Sequence, residues 1–225
     1  MRSLPTQRQH SFHRKPWHID YHHQRELAKA ISATSEFIQG SVLDLGSGNQ
    51  PYRGLFHGVT QYTALDINPH NNNVSLVGSG IHLPFQDQVF DSVFSAQTLE
   101  HVENPQQVVA EIARVLRPGG HVVLSMPQSR RLHEEPFDFF RYTRYGIIHL
   151  LEQSGLEPLQ IRAQGGAWVT IGQQINNTIH HRRQAWPVYM RYLCYLTSNL
   201  VVGELERVWY DPEDTSNYVV VAQKV

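Results

Sequence analysis

Leu27, Ala30, Ile31, Thr34, Phe37 and Ile38 recur at helical spacing on one face, which predicts a helix from near Asp20 to Ile38, ended by Gly40. Beyond it the period changes. Short apolar runs at 41–45, 62–66, 74–77 and 89–95 read as four strands. Asn104, Pro105 and Gln107 then predict a helix start with a capping box, and Val108, Ile112, Val115 and Leu116 form its inward stripe. Arg117-Pro-Gly-Gly120 ends that helix, and 121–126 is a fifth strand, apolar on both faces as buried parallel strands are. Thr143 caps a further helix with Ile147, Leu150 and Leu151 inward, and a sixth strand follows at 159–163. Two more helical stretches, 170–183 and 187–207, precede a last strand at 217–222.

Strands that alternate with helices imply an α/β, doubly wound, mostly parallel sheet with helices on both faces and right-handed crossovers. A ligand of such a sheet sits at the carboxyl ends of its strands, at the switch point. The expected organisation is a loosely held flank over 1–16 and one domain over 17–225, with a helical insertion at about 164–216 before the last strand.

Composition narrows the classes of function. Hydrophobic residues make up 40% and charged residues 17%, and the formal net charge of -1 gives no overall field for nucleic acid or an anionic membrane. Cys194 is the only cysteine, so no intrachain disulfide forms, and a cytoplasmic, reducing setting fits. The N-terminus has basic residues with no apolar run behind them, unlike a secretory signal. The apolar stretch 188–202 is broken by Arg191, Ser198 and Asn199, short of the roughly 20 apolar residues a span needs. Fourteen histidines are many, and His18 and His22 would share a helix face, but no cysteine or paired carboxylate completes a ligand set, so no metal site is expected.

The densest chemistry is at the first strand's end. Gly46 and Gly48 follow a hydrophobic strand, and glycine permits both a sharp turn and close approach of a ligand. Asp66 ends the next strand, where a carboxylate can accept both hydroxyl hydrogens of a ribose. A nucleoside site fits these features, and so does a plain structural turn. A dinucleotide fingerprint wants a third glycine where Pro51 stands, which disfavours a nicotinamide-dependent oxidoreductase. S-adenosylmethionine has no phosphate and needs no anion cradle.

Four segments, in order, resemble class I S-adenosylmethionine-dependent methyltransferases. They are Val42-Leu-Asp-Leu-Gly-Ser-Gly-Asn-Gln-Pro-Tyr-Arg53, Leu65-Asp-Ile-Asn68, the run from Leu83-Pro-Phe to Glu100-His-Val102, and Ala113-Arg-Val-Leu-Arg-Pro-Gly-Gly-His-Val-Val-Leu-Ser125. The first is closest to the subgroup with Pro-Tyr-Arg after the glycines. The resemblance implies a seven-stranded sheet with an antiparallel last strand and the cofactor S-adenosylmethionine over the first two strands. It implies that Asp66 holds the ribose and Ile67 packs on adenine. Gly46, Ser47 and Gly48 would lie against the methionine part, with Asp44 near its amino group and Gln97 near the methionine end. Where the family commonly has an aspartate for the adenine amino group, this chain has Ser79, with Gly80 and Ile81 as backbone alternatives.

Methyl transfer needs alignment of the acceptor and sometimes removal of a proton. The candidates are His133 and Asp138 in the loop 127–143, beside Glu134 and Glu135, and His101 after the fourth strand. Arg141 and Tyr142 can orient a polar acceptor, or Asp138 and Arg141 can simply pair. The aromatic segment 164–216 reads as a lid, a dimer interface or a lipid-touching surface, with ordinary helix packing favoured for most of its residues. The acceptor expected is a small molecule, lipid-linked or glycan-type, with no nucleic acid and no membrane span, though peripheral membrane contact stays open. A non-catalytic nucleoside- or partner-binding module is the alternative.

Overall fold

The computed structural model describes residues 15–69 and 73–225, so nearly all of the expected 1–16 flank lies outside the described residues. Helix α1 (Tyr21–Ser32) leads into β1 (Gln39–Leu45), β2 (Gly58–Asp66), β3 (Leu76–Val77) and β4 (Phe90–Ala96). Then come α2 (Pro105–Val115), β5 (Leu116–Pro127), α3 (Arg144–Glu152), β6 (Leu156–Gln164), α4 (Ala167–His181), α5 (Val188–Val208) and β7 (Asn217–Lys224). The seven strands form one sheet in the order β3-β2-β1-β4-β5-β7-β6. All observed pairings are parallel except those of β7, which runs antiparallel to β5 and to β6.

Side-chain alternation in the strands sorts the core into two layers. Leu43, Leu45, Val93, Val122, Leu124 and Val220 pack with Ile112 and Ile147 of α2 and α3. Their neighbours in sequence, Val42, Phe94, Val123, Val219 and Val221, pack with Leu27 and Ile31 of α1. Between β1 and β4 the described residues contain no α-helix, only a short 3-10 turn at Arg53–Leu55. This half of the sheet is thinly covered.

Three local expectations need correction. The first helix stops at Ser32, because the buried Thr34 hydroxyl donates to the Ile31 carbonyl at 2.9 Å and the chain tightens into a 3-10 turn. Gly40 therefore ends nothing. It sits in β1 at φ 66°, at a register shift, and a Cβ there would strike the Asp91 side chain, which accepts from Ser41 N at 2.8 Å. Arg117-Pro-Gly-Gly120 lies inside β5, with Leu116 already paired to Phe90. The capping box is half formed: Asn104 Oδ1 accepts from Gln107 N at 3.3 Å, whereas Gln107 Nε2 donates to the Ile81 carbonyl at 3.2 Å.

Chain order puts the switch point between β1 and β4. From β1 the chain goes to β2 on one side, then returns to β4 on the other. The carboxyl ends of β1, β2 and β4 therefore splay around one crevice.

Candidate active site

That crevice holds a cavity of about 300 Å3. Asp44, Gly46, Ser47, Gly48, Asp66 and Ile67 line it, with Ser79, Gly80, Gln97 and His101. Ile81, His133 and Asp138 do not.

The turn after β1 is made by backbone. Gly46 has φ 70° and Gly48 φ 50°, in the region that favours glycine, and a Cβ on Gly46 would collide with the Thr98 hydroxyl. Gly46 N donates to the Leu65 carbonyl at 2.8 Å, which joins the turn to the end of β2. Asp66 closes the arrangement: its two oxygens accept from Gly48 N and Asn68 N, each at 2.8 Å. Each oxygen keeps acceptor capacity for a ribose hydroxyl. Among the described residues the buried Ser47 hydroxyl has no hydrogen-bond partner. A buried orphan hydroxyl at a cavity wall suits a polar ligand atom.

Asp44 lies deeper. Register places it opposite Ala64, so Tyr62, two residues earlier in β2, shares its face, and the Tyr62 hydroxyl donates to Asp44 Oδ2 at 2.5 Å. Burial pushes the Asp44 carboxyl up to about 7, against the Tyr62 hydrogen bond and with help from Asp66. A cationic ligand end beside it would restore the charge. Ile67 is 59% exposed at the rim, an apolar side chain that a planar ring would cover. The residues thus fit a positively charged nucleoside ligand such as S-adenosylmethionine.

Ser79 offers less. Its hydroxyl meets only the Ile81 amide, at 3.5 Å. Ile81 packs against the core, and its carbonyl accepts from Gln107 Nε2 at 3.2 Å. Gln97 holds φ 55°, a strained value for a non-glycine residue, at the end of β4. Three contacts keep it there: its amide nitrogen donates to Asn217 Oδ1 at 2.7 Å and to Ser125 Oγ at 3.1 Å, and its Oε1 accepts from Arg130 at 3.2 Å.

The comparisons with known proteins agree with this geometry. A family model described as a methyltransferase domain matches residues 43–124, from β1 through most of β5. Over that stretch the chain is similar to a methyltransferase domain, and its sheet order is that of the same fold. An uncharacterized methyltransferase of Mycobacterium marinum is 32% identical over 109 residues, 42% of each chain. A demethylmenaquinone methyltransferase of Tropheryma whipplei is 28% identical over 151 residues, 62% of each chain. The matched stretch thus spans about two fifths to three fifths of these curated relatives. In fold, the [4+2]-cyclase SpnF superposes with a TM-score of 0.60 at 20% identity, covering 89% of this chain and 80% of that one.

Opposite the wall formed by the glycine turn and Asp66, Glu100, His101 and the 127–143 segment form a second cluster. His101 Nδ1 lies 2.7 Å from the Phe137 carbonyl, which can only accept. Nδ1 therefore carries a proton, and Nε2 is the ring nitrogen left for another partner. Asp138 is almost wholly buried and forks with Arg141, two bonds of 2.7 Å, while accepting from His133 N at 2.9 Å. Burial raises the Asp138 carboxyl, but the Arg141 pair and the His133 amide outweigh it and hold it at about 2. Asp138 is a tie within its loop. His133 is pushed down to about 4, first by burial and then by Arg130 and His101.

Sequence reasoning missed several contributors. Thr98, Tyr52 and Phe137 line the cavity, together with the Glu134 already named from the sequence, and Glu100 stands behind it. Only the Tyr62–Asp44 bond had a readable signal, in the shared parity of two adjacent parallel strands. No residue of 164–216 lines the cavity, so the lid reading loses its geometric basis. Ordinary packing also covers less than expected: Tyr189, Tyr192, Leu193, Leu200 and Val201 of α5 are exposed, whereas Tyr195, Asn199 and Val202 are buried. Among the described residues no helix is long and apolar enough to cross a membrane. The histidines read as a conceivable pair are otherwise engaged: His22 Nε2 donates to the Asn199 carbonyl at 2.7 Å, and His18 Nδ1 accepts from Asp20 N at 3.0 Å.

Proposed function

We propose that this chain is an S-adenosylmethionine-dependent methyltransferase acting on a small-molecule, lipid-linked or glycan-type acceptor. The observation that carries this reading is the cavity at the switch point, where the Gly46–Gly48 turn and the Asp66 carboxylate are pre-set by two backbone amides. In this reading Asp66 accepts the ribose hydroxyls and Ile67 covers the adenine. Ser79 and Gly80 flank the adenine edge. Ser47 and Asp44 meet the polar amino acid end, and Gln97 forms the floor beside it. The sulfonium supplies an activated methyl group when bound, so the protein's task is mainly to align the acceptor.

Of the three catalytic candidates, His101 reaches the cavity with its Nε2 lone pair, which suits removal of an acceptor proton. His133 and Asp138 act through the loop that holds it. The demethylmenaquinone named for the Tropheryma relative supports the lipid-linked class. In the same reading residues 17–225 work as one domain.

A second reading, a nucleoside-binding module without methyl transfer, draws on the [4+2]-cyclase whose fold this chain shares. The test is to incubate purified protein with methyl-labelled S-adenosylmethionine and cell-extract fractions, and to identify any labelled product by mass spectrometry. A labelled product lost in His101→Ala supports the first reading. Binding without transfer to any fraction supports the second.

A further inference from the structure

Behind the acceptor side of the cavity, Glu100, His101 and His133 bring one donor atom each within 4.8 Å of one another. Three features separate this group from a chance cluster. First, the Glu100 carboxyl is fully buried, and among the described residues neither oxygen has a hydrogen-bond partner from another residue. Arg130 and Arg141 are near enough to influence its charge, yet neither bonds to it. A buried carboxyl left this way costs free energy unless something else meets it.

Second, both imidazoles are oriented as metal ligands are. His101 donates from Nδ1 to the Phe137 carbonyl at 2.7 Å. His133 presents Nδ1 to the Arg131 carbonyl at 3.1 Å and to Asp138 Oδ2 at 3.2 Å. Metal-ligating histidines almost always donate their other ring N–H to a carboxylate or backbone carbonyl, which fixes the tautomer and leaves the far nitrogen free. The two rings sit edge to face with centroids 4.8 Å apart. Third, Glu134 Oε2 lies 4.0 Å from His101 Nε2, and both residues line the cavity. A further oxygen donor is therefore at hand on the open side.

We propose that Glu100, His101 and His133 bind a divalent transition-metal ion at the edge of the cavity. Two imidazoles and one carboxylate with open positions are the donor set of catalytic Zn2+ and of non-haem Fe2+. His101 Nε2 and Glu100 Oε1 are 3.9 Å apart. Metal–ligand bonds of about 2.0–2.2 Å put neighbouring ligand atoms roughly 3.4 Å apart, so this pair would close by about 0.5 Å and a pair at the 4.8 Å limit of the cluster by about 1.4 Å. The ion answers the carboxyl that the protein leaves unpartnered. If the methyl-transfer reading holds, it would also ligate an oxygen of the acceptor and lower its pKa, so that the proton is lost to water at the open side of the cavity rather than to His101 Nε2. Metal binding itself does not depend on that reading.

The test uses the full chain, stripped with chelator and titrated with Co2+, whose visible absorption reports imidazole and carboxylate ligation. Zn2+ then serves as competitor. One ion per chain is expected, with Glu100→Gln and His133→Ala each weakening it by at least about tenfold. Glu100→Gln keeps size and replaces a carboxyl that hydrogen-bonds to no other described residue, so its circular dichroism should match the parent. S-adenosylmethionine binding to that variant, measured in parallel, reports separately on the cofactor wall. No Co2+ binding below 1 mM would overturn the site. So would binding unchanged by Glu100→Gln, or binding lost only in His10→Gln/His13→Gln, which places the ion on the histidine-rich N-terminal stretch.

Discussion

At the carboxyl ends of β1 and β2 the cavity wall is largely backbone, and its polar groups are left facing outward: the Ser47 hydroxyl has no partner, and Asp66 is oriented by two amides yet keeps acceptor capacity. Across the cavity, the 127–143 segment is held by side chains that satisfy one another, Asp138 with Arg141 and Arg130 with Gln97. The first wall is a binding surface in waiting. The second is a scaffold that presents a few groups, His101 above all. Cofactor recognition and acceptor chemistry should therefore respond separately to substitution.

The largest effect on the cofactor is expected from Gly46→Val. Its Cβ would meet Thr98, and a β-branched residue at φ 70° is strained by roughly 1–2 kcal/mol. S-adenosylmethionine affinity should fall about a hundredfold or more by calorimetry, while Asp138 and its loop stay ordered by hydrogen exchange. Loss of protection in both walls would mean they are one unit.

Asp66→Ala comes next. Losing hydrogen bonds to a charged group costs roughly 1.5–3 kcal/mol, about tenfold or more in affinity. Unchanged affinity in a folded variant would put the ribose elsewhere.

Third is pH. The Asp44 carboxyl is raised to about 7 by burial, so below that pH it is mostly neutral in the free protein. A cationic ligand end favours the carboxylate, so binding releases a proton. Log affinity should rise by up to about one per pH unit towards 7 and level off above it. Asp44→Asn should flatten the profile, and a slope that persists in that variant would assign the proton to another group. The same upward shift adds stability that is full below the unfolded carboxyl value and is lost as pH rises through about 7.

Smaller still is Ser79→Asp. A charged acceptor for the adenine amino group should tighten binding by on the order of 1 kcal/mol. Weaker binding of both S-adenosylmethionine and its demethylated product, at unchanged thermal stability, would mean a different adenine pose. Asp138→Asn should leave cofactor affinity within about twofold, while limited proteolysis of 127–143 speeds up as the buried tie to Arg141 weakens. A drop in cofactor affinity equal to that of Asp66→Ala would erase the distinction between the walls.

The two walls also differed in how far they could be read from sequence. Gly46, Gly48 and Asp66 are local signals, a turn and a strand end, and their chemistry follows from position on one βα-type edge. All seven strands were legible because apolar runs bounded by turns repeat along the chain. Gly40 misled, since a glycine with positive φ serves a strand bulge as well as a helix end. The acceptor side is tertiary. His101 acquires its tautomer from Phe137, thirty-six residues on, and Gln97 is held by Asn217 from the far end of the chain. The exposed face of α5 was hidden for a related reason: its aromatic content suggested burial, but α4 and α1 cover only part of its surface.

In the proposed reading the switch-point cavity is an S-adenosylmethionine site built on Asp66 and the glycine turn. Titrating the protein and its Asp66→Ala variant with S-adenosylmethionine and with NAD, by calorimetry in one buffer, tests it most directly. One-to-one binding of S-adenosylmethionine is expected, at least about tenfold weaker in the variant, with poor binding of NAD to both. Tight NAD binding with no heat from S-adenosylmethionine would contradict it.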